Sequence, residues 1–175
     1  MVGNWVGQKI NIGQIKAASA RDYLRGNRYR VSINNPITGS LDPNSSTNCN
    51  AVDFPGMSFG TFDRRQKGPL LRLPNDRITT EVNFSFYMDG NASARKYFQG
   101  WFDGIYDTND QFRFFDDYKG NARIEEFNRQ GQTVYSAELQ DCYPLILNAT
   151  NLSYDQNSSV EIFTCSLLAY RVKVS

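Results

Sequence analysis

Hydrophobic and polar residues alternate along several stretches of the chain, and a period of two predicts strands. RYRVSIN places Tyr29, Val31 and Ile33 on one face, which is typical of a half-buried strand. The alternation is strongest in 78–88 (ITTEVNFSFYM), where one predicted face is apolar throughout. The opposite face of that strand carries Glu81, Asn83 and Ser85, and the sequence therefore predicts a sheet with one wet side.

The segment 92–106 (ASARKYFQGWFDGIY) follows a helical period instead. Its apolar positions are Ala94, Tyr97, Phe98, Trp101, Phe102 and Ile105. These positions recur every three or four residues, which predicts an amphipathic helix capped by Asn91. We expect the helix to pack on the sheet and the six stripe residues to belong to the core.

The remaining pattern predicts further antiparallel strands. Segments 122–127 and 133–139 flank the turn residues 128–131, and segments 145–154 and 160–172 flank 155–159. In the last strand Thr164 and Ser166 fall on a polar face. The fold class predicted from the residues is antiparallel strands around a single helix.

Two segments do not fit this regular pattern. Residues 1–27 are basic and weakly helical over 13–25, which predicts an arm or a short docked helix ahead of one β domain at 28–175. Residues 36–50 contain Pro, Gly, Asn and Ser throughout, which predicts a long polar loop.

A basic segment at 64–77 has turn residues on both sides of GPLLRL and predicts a protruding hairpin or an extended arm. Its candidate contact residues are Arg64, Arg65, Lys67, Leu70, Leu71, Arg72, Leu73 and Arg77. Leucines exposed on a free monomer are typical of an interface.

Composition narrows the classes of function. The chain has 175 residues with a net charge of +1, and it contains no histidine. The commonest general base and most zinc sites are thereby excluded. The three cysteines are far apart, and no phosphate-binding glycine loop occurs. We therefore predict no catalytic residue, no metal site, no cofactor, and, since no apolar run approaches a membrane span, no membrane contact.

Three segments together resemble the tail tube proteins of contractile-tailed phages of the T-even type. The first is RYRVSINNP followed by AVDFPGMSFGT, the second is DRITTEVNFSFYMD running into NASARKYFQGWFDGI, and the third is YSAELQDCYPLILNATNLSYDQNSSVEIFTCSLLAYR. Their order and spacing across residues 28 to 172 carry the resemblance. The insertion at 36–50 and the N-terminal extension depart from the family pattern.

The resemblance implies a two-sheet antiparallel β-barrel or sandwich with one flanking helix, six copies of which close into a ring around a channel. The partners it implies are other copies of the chain, a tail sheath protein, a tape-measure protein and phage DNA in the channel, and baseplate and tail-terminator proteins. The implied location is the virion tail, assembled in the host cytoplasm. The segment 64–77 then matches a loop that reaches the neighbouring ring.

The candidate surface of the channel is the polar face formed by Glu81, Asn83, Ser85, Thr164 and Ser166, and an ordinary solvent-facing surface is its alternative. Residues 1–99 carry a charge of +6 and residues 100–175 a charge of −5. Such complementary halves suit head-to-tail stacking.

Three hypotheses on function stay open at this point. The first is the main tube of a contractile phage tail. The second is a tube-initiator paralogue in the baseplate, or the inner tube of a related contractile injection particle. The third belongs to another class, a small β-barrel that binds a ligand or single-stranded nucleic acid.

Overall fold

The computed structural model describes residues 24–65, 68, 70–79, 81–106, 111–150, 152–153 and 159–175. Most of the predicted N-terminal arm, 1–27, lies outside these residues, as does the predicted weak helix at 13–25 apart from its last two positions. In the part of the chain that is described, no helix is long and apolar enough to cross a membrane.

Within the described residues the chain forms nine strands and three helices. The strands are β1 (Tyr29–Asn35), β2 (Gly39–Ser40), β3 (Cys49–Val52), β4 (Met57–Arg64), β5 (Leu71–Thr79), β6 (Val82–Tyr87), β7 (Gly120–Phe127), β8 (Thr133–Leu147) and β9 (Ile162–Val174). The helices are α1 (Pro43–Thr47), α2 (Ser93–Ile105) and α3 (Phe115–Tyr118). The mainly β prediction with a flanking helix is confirmed, while α1 and α3 are short helices that the sequence pattern did not indicate.

Seven strands form one antiparallel sheet in the order β2-β1-β7-β8-β9-β6-β3, and β4 and β5 form a second, two-stranded sheet. The large sheet curls until its two ends meet. The Tyr29 hydroxyl on β1 donates to the Cys49 carbonyl on β3 at 2.8 Å. The two predicted sheets are therefore very unequal, a curled half-barrel and a single hairpin.

The segment between β1 and β3 closes the seam of this half-barrel. The Leu41 amide donates to the Ile33 carbonyl at 2.8 Å, and the Ser46 hydroxyl donates to the Val31 carbonyl. Leu41 and Ser45 are buried. The predicted polar loop at 36–50 is therefore wrong, because its polar side chains build compact turns instead of a mobile loop.

The core lies on the concave face of the sheet, where the alternating apolar residues point. Phe84 and Phe86 of β6 and Phe163 of β9 are buried there. The ring of Phe98 from α2 lies 5.4 Å from that of Phe86 and 5.9 Å from that of Phe163, measured between centroids. The helix therefore packs across the sheet through aromatic contacts, as the periodicity predicted.

The helical stripe is buried along its centre and exposed at one margin. Ala94, Phe98 and Trp101 are buried, and Tyr97 and Ile105 are half-buried. Phe102 is 40% exposed, so its assignment to the core is wrong. Phe102 lies about 100° around the helix axis from Trp101, which contacts the sheet. The apolar stripe is therefore wider than the contact between α2 and the sheet, and Phe102 lies at its exposed edge.

The close approach of α2 to β7 requires a glycine. The Trp101 indole donates to the Tyr118 carbonyl at 2.8 Å. A Cβ atom added at Gly120 would lie 2.7 Å from that indole ring and 2.7 Å from the Asn34 carbonyl oxygen. Any larger residue at position 120 would push the helix from the sheet.

Asp89 caps α2, and the prediction of Asn91 as the cap is wrong. The Asp89 carboxylate accepts the Ser93 amide and the Ser93 hydroxyl, both at 2.7 Å. These hydrogen bonds hold the pKa of Asp89 below its ordinary value. Ala92 lies between Asp89 and Ser93 and has a left-handed backbone conformation, with φ at 52°. This conformation brings the Asp89 carboxylate to the N-terminus of α2.

Two predicted strands have different bounds in the structure. The predicted strand at 78–88 divides into β5, which ends at Thr79, and β6, which begins at Val82, because β5 leaves the large sheet to pair with β4. The predicted strand at 145–154 is not separate, since β8 continues through Leu147 and residues 148–150 are not in a strand. The turn between β7 and β8 is confirmed, and the Asn128 side chain accepts two amides there.

The matched phenylalanines of α2 test this packing. We expect Phe98→Ala to lower the free energy of unfolding by about 3–5 kcal/mol, because it leaves a cavity between helix and sheet. Phe102→Ala is expected to cost about 1 kcal/mol or less, because its ring is partly solvated. Urea unfolding of the two variants measures both values, and equal losses would contradict the placement of α2.

Candidate assembly surfaces

The predicted protruding hairpin is present and consists of β4 and β5. The strands pair in register, with Phe62 opposite Leu73, Asp63 opposite Arg72 and Arg64 opposite Leu71. Almost every described residue of the hairpin is exposed, including Leu70 at 46% and Leu71 at 55%, whereas Leu73, which was predicted to be exposed, is half-buried. The structure thus confirms a projecting hairpin at this position, and its role in ring stacking stays a prediction.

The basic residues of the hairpin have different environments. Arg64 and Arg65 are exposed, and Lys67 lies outside the described residues. Arg72 forms an exposed ion pair with Asp63 at 3.0 Å. The Arg77 guanidinium donates to the Val172 carbonyl of β9 at 3.0 Å, so it holds the base of the hairpin. Arg72 and Arg77 therefore have partners within the chain, whereas the sequence analysis placed them at a contact between copies.

A second hydrogen bond fixes the hairpin base to the sheet. The Thr79 hydroxyl donates to the Ala169 carbonyl at 3.0 Å. β6 pairs with β9 from Tyr87 opposite Ile162 to Val82 opposite Leu167. If this register is continued into β5, Thr79 and Arg77 lie beside the last residues of β9. At the base of the hairpin, hydrogen bonds from side chains to β9 carbonyls thus take the place of backbone hydrogen bonds between strands. Beyond that point the hairpin diverges from the large sheet.

One side of the hairpin is mostly apolar. Because neighbouring strand residues alternate and paired residues share a side, Phe62, Leu71 and Leu73 lie on one side together with Arg64, and Asp63 and Arg72 lie on the other. We call Phe62, Leu71 and Leu73 the apolar side of the hairpin. Phe62 is 45% exposed, and an isolated two-stranded hairpin is marginally stable in water. The hairpin therefore leaves apolar side chains exposed in one copy.

The predicted polar face is assembled by β6 and β9. Asn83 pairs with Ser166 and Ser85 with Thr164 across the two strands, while Glu81 is exposed just before β6. The Asn83 amide donates to the Asp53 carboxylate at 2.9 Å. Four of the five predicted residues thus form two neighbouring cross-strand pairs.

Ser166 does not belong to the exposed part of that face. Its residue is only 2% exposed and its hydroxyl is buried without a hydrogen-bond partner. In the pairing register Ser166 lies between Asn83 on β6 and Ile146 on β8, whose side chains are longer. A short side chain on an inner strand is covered by such neighbours, which alternation alone does not reveal.

An exposed aromatic cluster at the end of α2 was missed by the sequence analysis. It consists of Phe102, Tyr106, Phe112, Phe114 and Phe115, which we call the aromatic patch. Phe112 and Phe114 are 78% and 84% exposed. The rings of Tyr106 and Phe112 meet edge to face at 4.9 Å, beside a cavity of about 550 Å³. The four phenylalanines between positions 102 and 115 could have indicated this cluster, but aspartates lie between them in the sequence.

The three thiols are buried, and burial lowers their reactivity. Burial raises the pKa of Cys49 to about 11 and that of Cys142 to about 12. Burial also raises the pKa of Cys165. A thiol that stays protonated at neutral pH is a poor nucleophile. Among the described residues, no three His, Cys, Asp or Glu side chains cluster as metal ligands would.

The sequence model of the phage tail tube protein family matches residues 24–171 of the chain. Comparison with curated protein sequences gives no match. The fold is similar to a chain of the anti-feeding prophage cap, the AFP tube terminating cap, with a TM-score of 0.67, 15% identity, and coverage of 89% of this chain and 92% of that one.

Two further solved structures share the fold. A chain of the PVC sheath-tube complex, from an extracellular contractile injection system in the extended state, has a TM-score of 0.65 and 16% identity, with 95% of this chain and 98% of that one covered. A chain of the 6-fold symmetrised baseplate of the anti-feeding prophage has a TM-score of 0.62 and 12% identity, with 85% and 92% covered.

Chains from these assemblies share the overall fold of this chain. The family match identifies the chain further. The protein belongs to the phage tail tube protein family.

The buried thiols predict a dependence of stability on pH. The ordinary thiol pKa is 9.0, and the folded values of Cys49 and Cys142 lie higher. The thiols therefore lose their protons at a lower pH in the unfolded chain than in the folded one. Their contribution to the free energy of unfolding is fully present below about pH 9 and is lost as the pH rises above that value. Urea unfolding from pH 8 to pH 11 measures the slope. Cys142→Ala is expected to make the slope shallower, and an unchanged slope would contradict this account.

Proposed function

We propose that this protein forms rings of six copies that stack head to tail into the inner tube of a contractile tail of the T-even phage type. The observation that carries the proposal is the hairpin of β4 and β5, which pairs with no third strand among the described residues and on whose apolar side Phe62 and Leu71 are exposed. A monomer gains nothing from such a hairpin, whereas a neighbouring copy that covers it buries apolar surface and pairs its edges.

Two further observations support a closed, stacked assembly. The two halves of the chain carry opposite net charges, and heterologous contacts need complementary surfaces. The baseplate structure that shares the fold is described as 6-fold symmetrised, which supports six copies in each ring.

The polar face of β6 and β9 is proposed as part of the channel wall. Asn83, Ser85 and Thr164, together with Glu81, carry no positive charge, while Arg171 and Lys173 lie towards the end of β9. Each phosphate neutralised by Lys or Arg strengthens DNA binding, so a stretch of wall without them lets DNA slide. The same stretch of wall is proposed to face a tape-measure protein.

The remaining partners follow from the place of a tube in a tail. We propose a sheath protein on the outer surface, baseplate proteins at one end and a terminator at the other, in a virion assembled in the host cytoplasm. The shared fold with a chain of a sheath-tube complex and with a tube terminating cap supports these partners.

A second candidate is a tube initiator in the baseplate or the inner tube of a non-phage injection particle. The structured insertion around α1 favours this candidate, because it adds a surface beside the seam of the half-barrel. The other structures with this fold come from injection systems, which adds support.

The assembly role of the hairpin is tested with a pair of variants. Phe62→Asp places a charge on the apolar side, and we expect rings and tubes to be lost. Thr61→Asp adds the same charge on the opposite side and is expected to assemble. Both positions are exposed, so both melting temperatures should stay near that of the original chain. Mass photometry and negative-stain microscopy measure assembly, and Phe62→Asp tubes equal to the original would refute the contact.

The channel assignment is tested by adding charge to its wall. Glu81→Lys is expected to make assembled tubes retain short duplex DNA in a nuclease-protected and salt-sensitive form. Gln99→Lys, which places a lysine on the exposed side of α2, is the control and should protect no DNA. Equal protection by both variants, or none by Glu81→Lys tubes, would contradict the placement of this face.

A further inference from the structure

We propose that the aromatic patch is the docking site for residues 1–23 of a second copy of this chain. The proposal rests on the proposed head-to-tail stacking and names the contact that connects successive copies. It starts from an exposed surface that the fold of one copy leaves uncovered. Phe112 at 78% and Phe114 at 84% exposure are the least buried aromatic residues among the described positions.

The patch is a preformed surface. The Arg113 amide donates to the Ile105 carbonyl at 3.0 Å, next to an antiparallel bridge between Tyr106 and Phe112. Phe115 lies edge to face with Tyr118 at 5.5 Å. The cavity of about 550 Å³ between α2 and β8 is lined by Phe102, Ile105, Tyr143 and Pro144 among others. A preformed apolar cavity of this kind takes one or two large side chains without reorganisation.

The sequence of residues 1–23 has the matching chemistry. Its large apolar residues include Trp5, Ile10, Ile12 and Ile15. It carries three basic residues, Lys9, Lys16 and Arg21, against Asp22 alone. Among the described residues beside the patch, Asp103, Asp116 and Asp117 are acidic and Arg113 is basic, while Lys119 is ion-paired with Asp116 and Asp141. The two segments are thus both apolar and opposite in charge, which favours their association.

The chain enters the fold at the end of β7 that lies away from the aromatic patch. The Phe127 amide donates to the Arg28 carbonyl at 2.9 Å, so the chain enters beside the last residue of β7. The aromatic patch lies by the first residue, because α3 directly precedes Gly120. Eight strand residues separate the two ends by about 25 Å. Residues 1–23 are long enough to span that distance within one copy, so contact between copies rests on the proposed head-to-tail stacking, in which an arm at one end and its site at the other repeat without closing.

Photo-crosslinking tests this contact directly. The full chain is prepared with p-benzoylphenylalanine in place of Phe114, whose exposure makes the replacement harmless to the fold. It is mixed with a heavy-nitrogen-labelled copy of the same chain, irradiated after assembly, and digested for mass spectrometry. We expect crosslinked peptides that join position 114 of one isotope to residues 1–23 of the other. The same probe at Phe59, 68% exposed on the hairpin, is the control and should not capture residues 1–23.

Charge reversal provides the second measurement. Lys9→Glu with Lys16→Glu is expected to reduce the crosslink yield several-fold, and adding Asp103→Lys with Asp117→Lys is expected to restore it. Crosslinks confined to one isotope, crosslinks to another segment, or no crosslink in assembled tubes would overturn the docking site alone. Microscopy of the same samples without any rings or tubes would overturn the proposed function together with it.

Discussion

The aromatic interior between α2 and the curled sheet is the constraint on which the rest of the structure depends. Phe98 contacts both Phe86 and Phe163, while Trp101 lies over Gly120 with its indole bonded to the Tyr118 carbonyl. A sheet that covers one helix on one face must curl around it, and its other face is left to water. The curl brings β1 to β3, where α1 and the Tyr29 hydroxyl close the seam.

This constraint also explains why the hairpin of β4 and β5 lies outside the half-barrel. Because β6 ends its pairing with β9 where Val82 meets Leu167, the preceding strand departs and pairs only with β4. Arg77 and Thr79 hold the base of that hairpin through single hydrogen bonds to β9 carbonyls. The core is thus closed within one copy, while the hairpin keeps Phe62 and Leu71 exposed.

The sequence predicted most of the fold, because alternation and helical period reflect burial directly. The strands around Val31, Phe84 and Ile124, and the central stripe of α2, follow from period alone. The misassignments came from tertiary context. The burial of Phe102 and Ser166 depends on which neighbours cover them, and the structured insertion depends on hydrogen bonds that the Ile37 and Thr38 amides donate to the Asn35 side-chain oxygen. The aromatic patch was missed because aspartates interrupt any apolar run.

A cryo-electron microscopy reconstruction of the purified, assembled chain tests the central claim most directly. The account predicts stacked rings of six copies, with the apolar side of each hairpin covered by a neighbouring copy and the face of Asn83 and Ser85 turned to the channel. A preparation that stays monomeric at every concentration, or a ring with the hairpins free and that face turned outward, would contradict it.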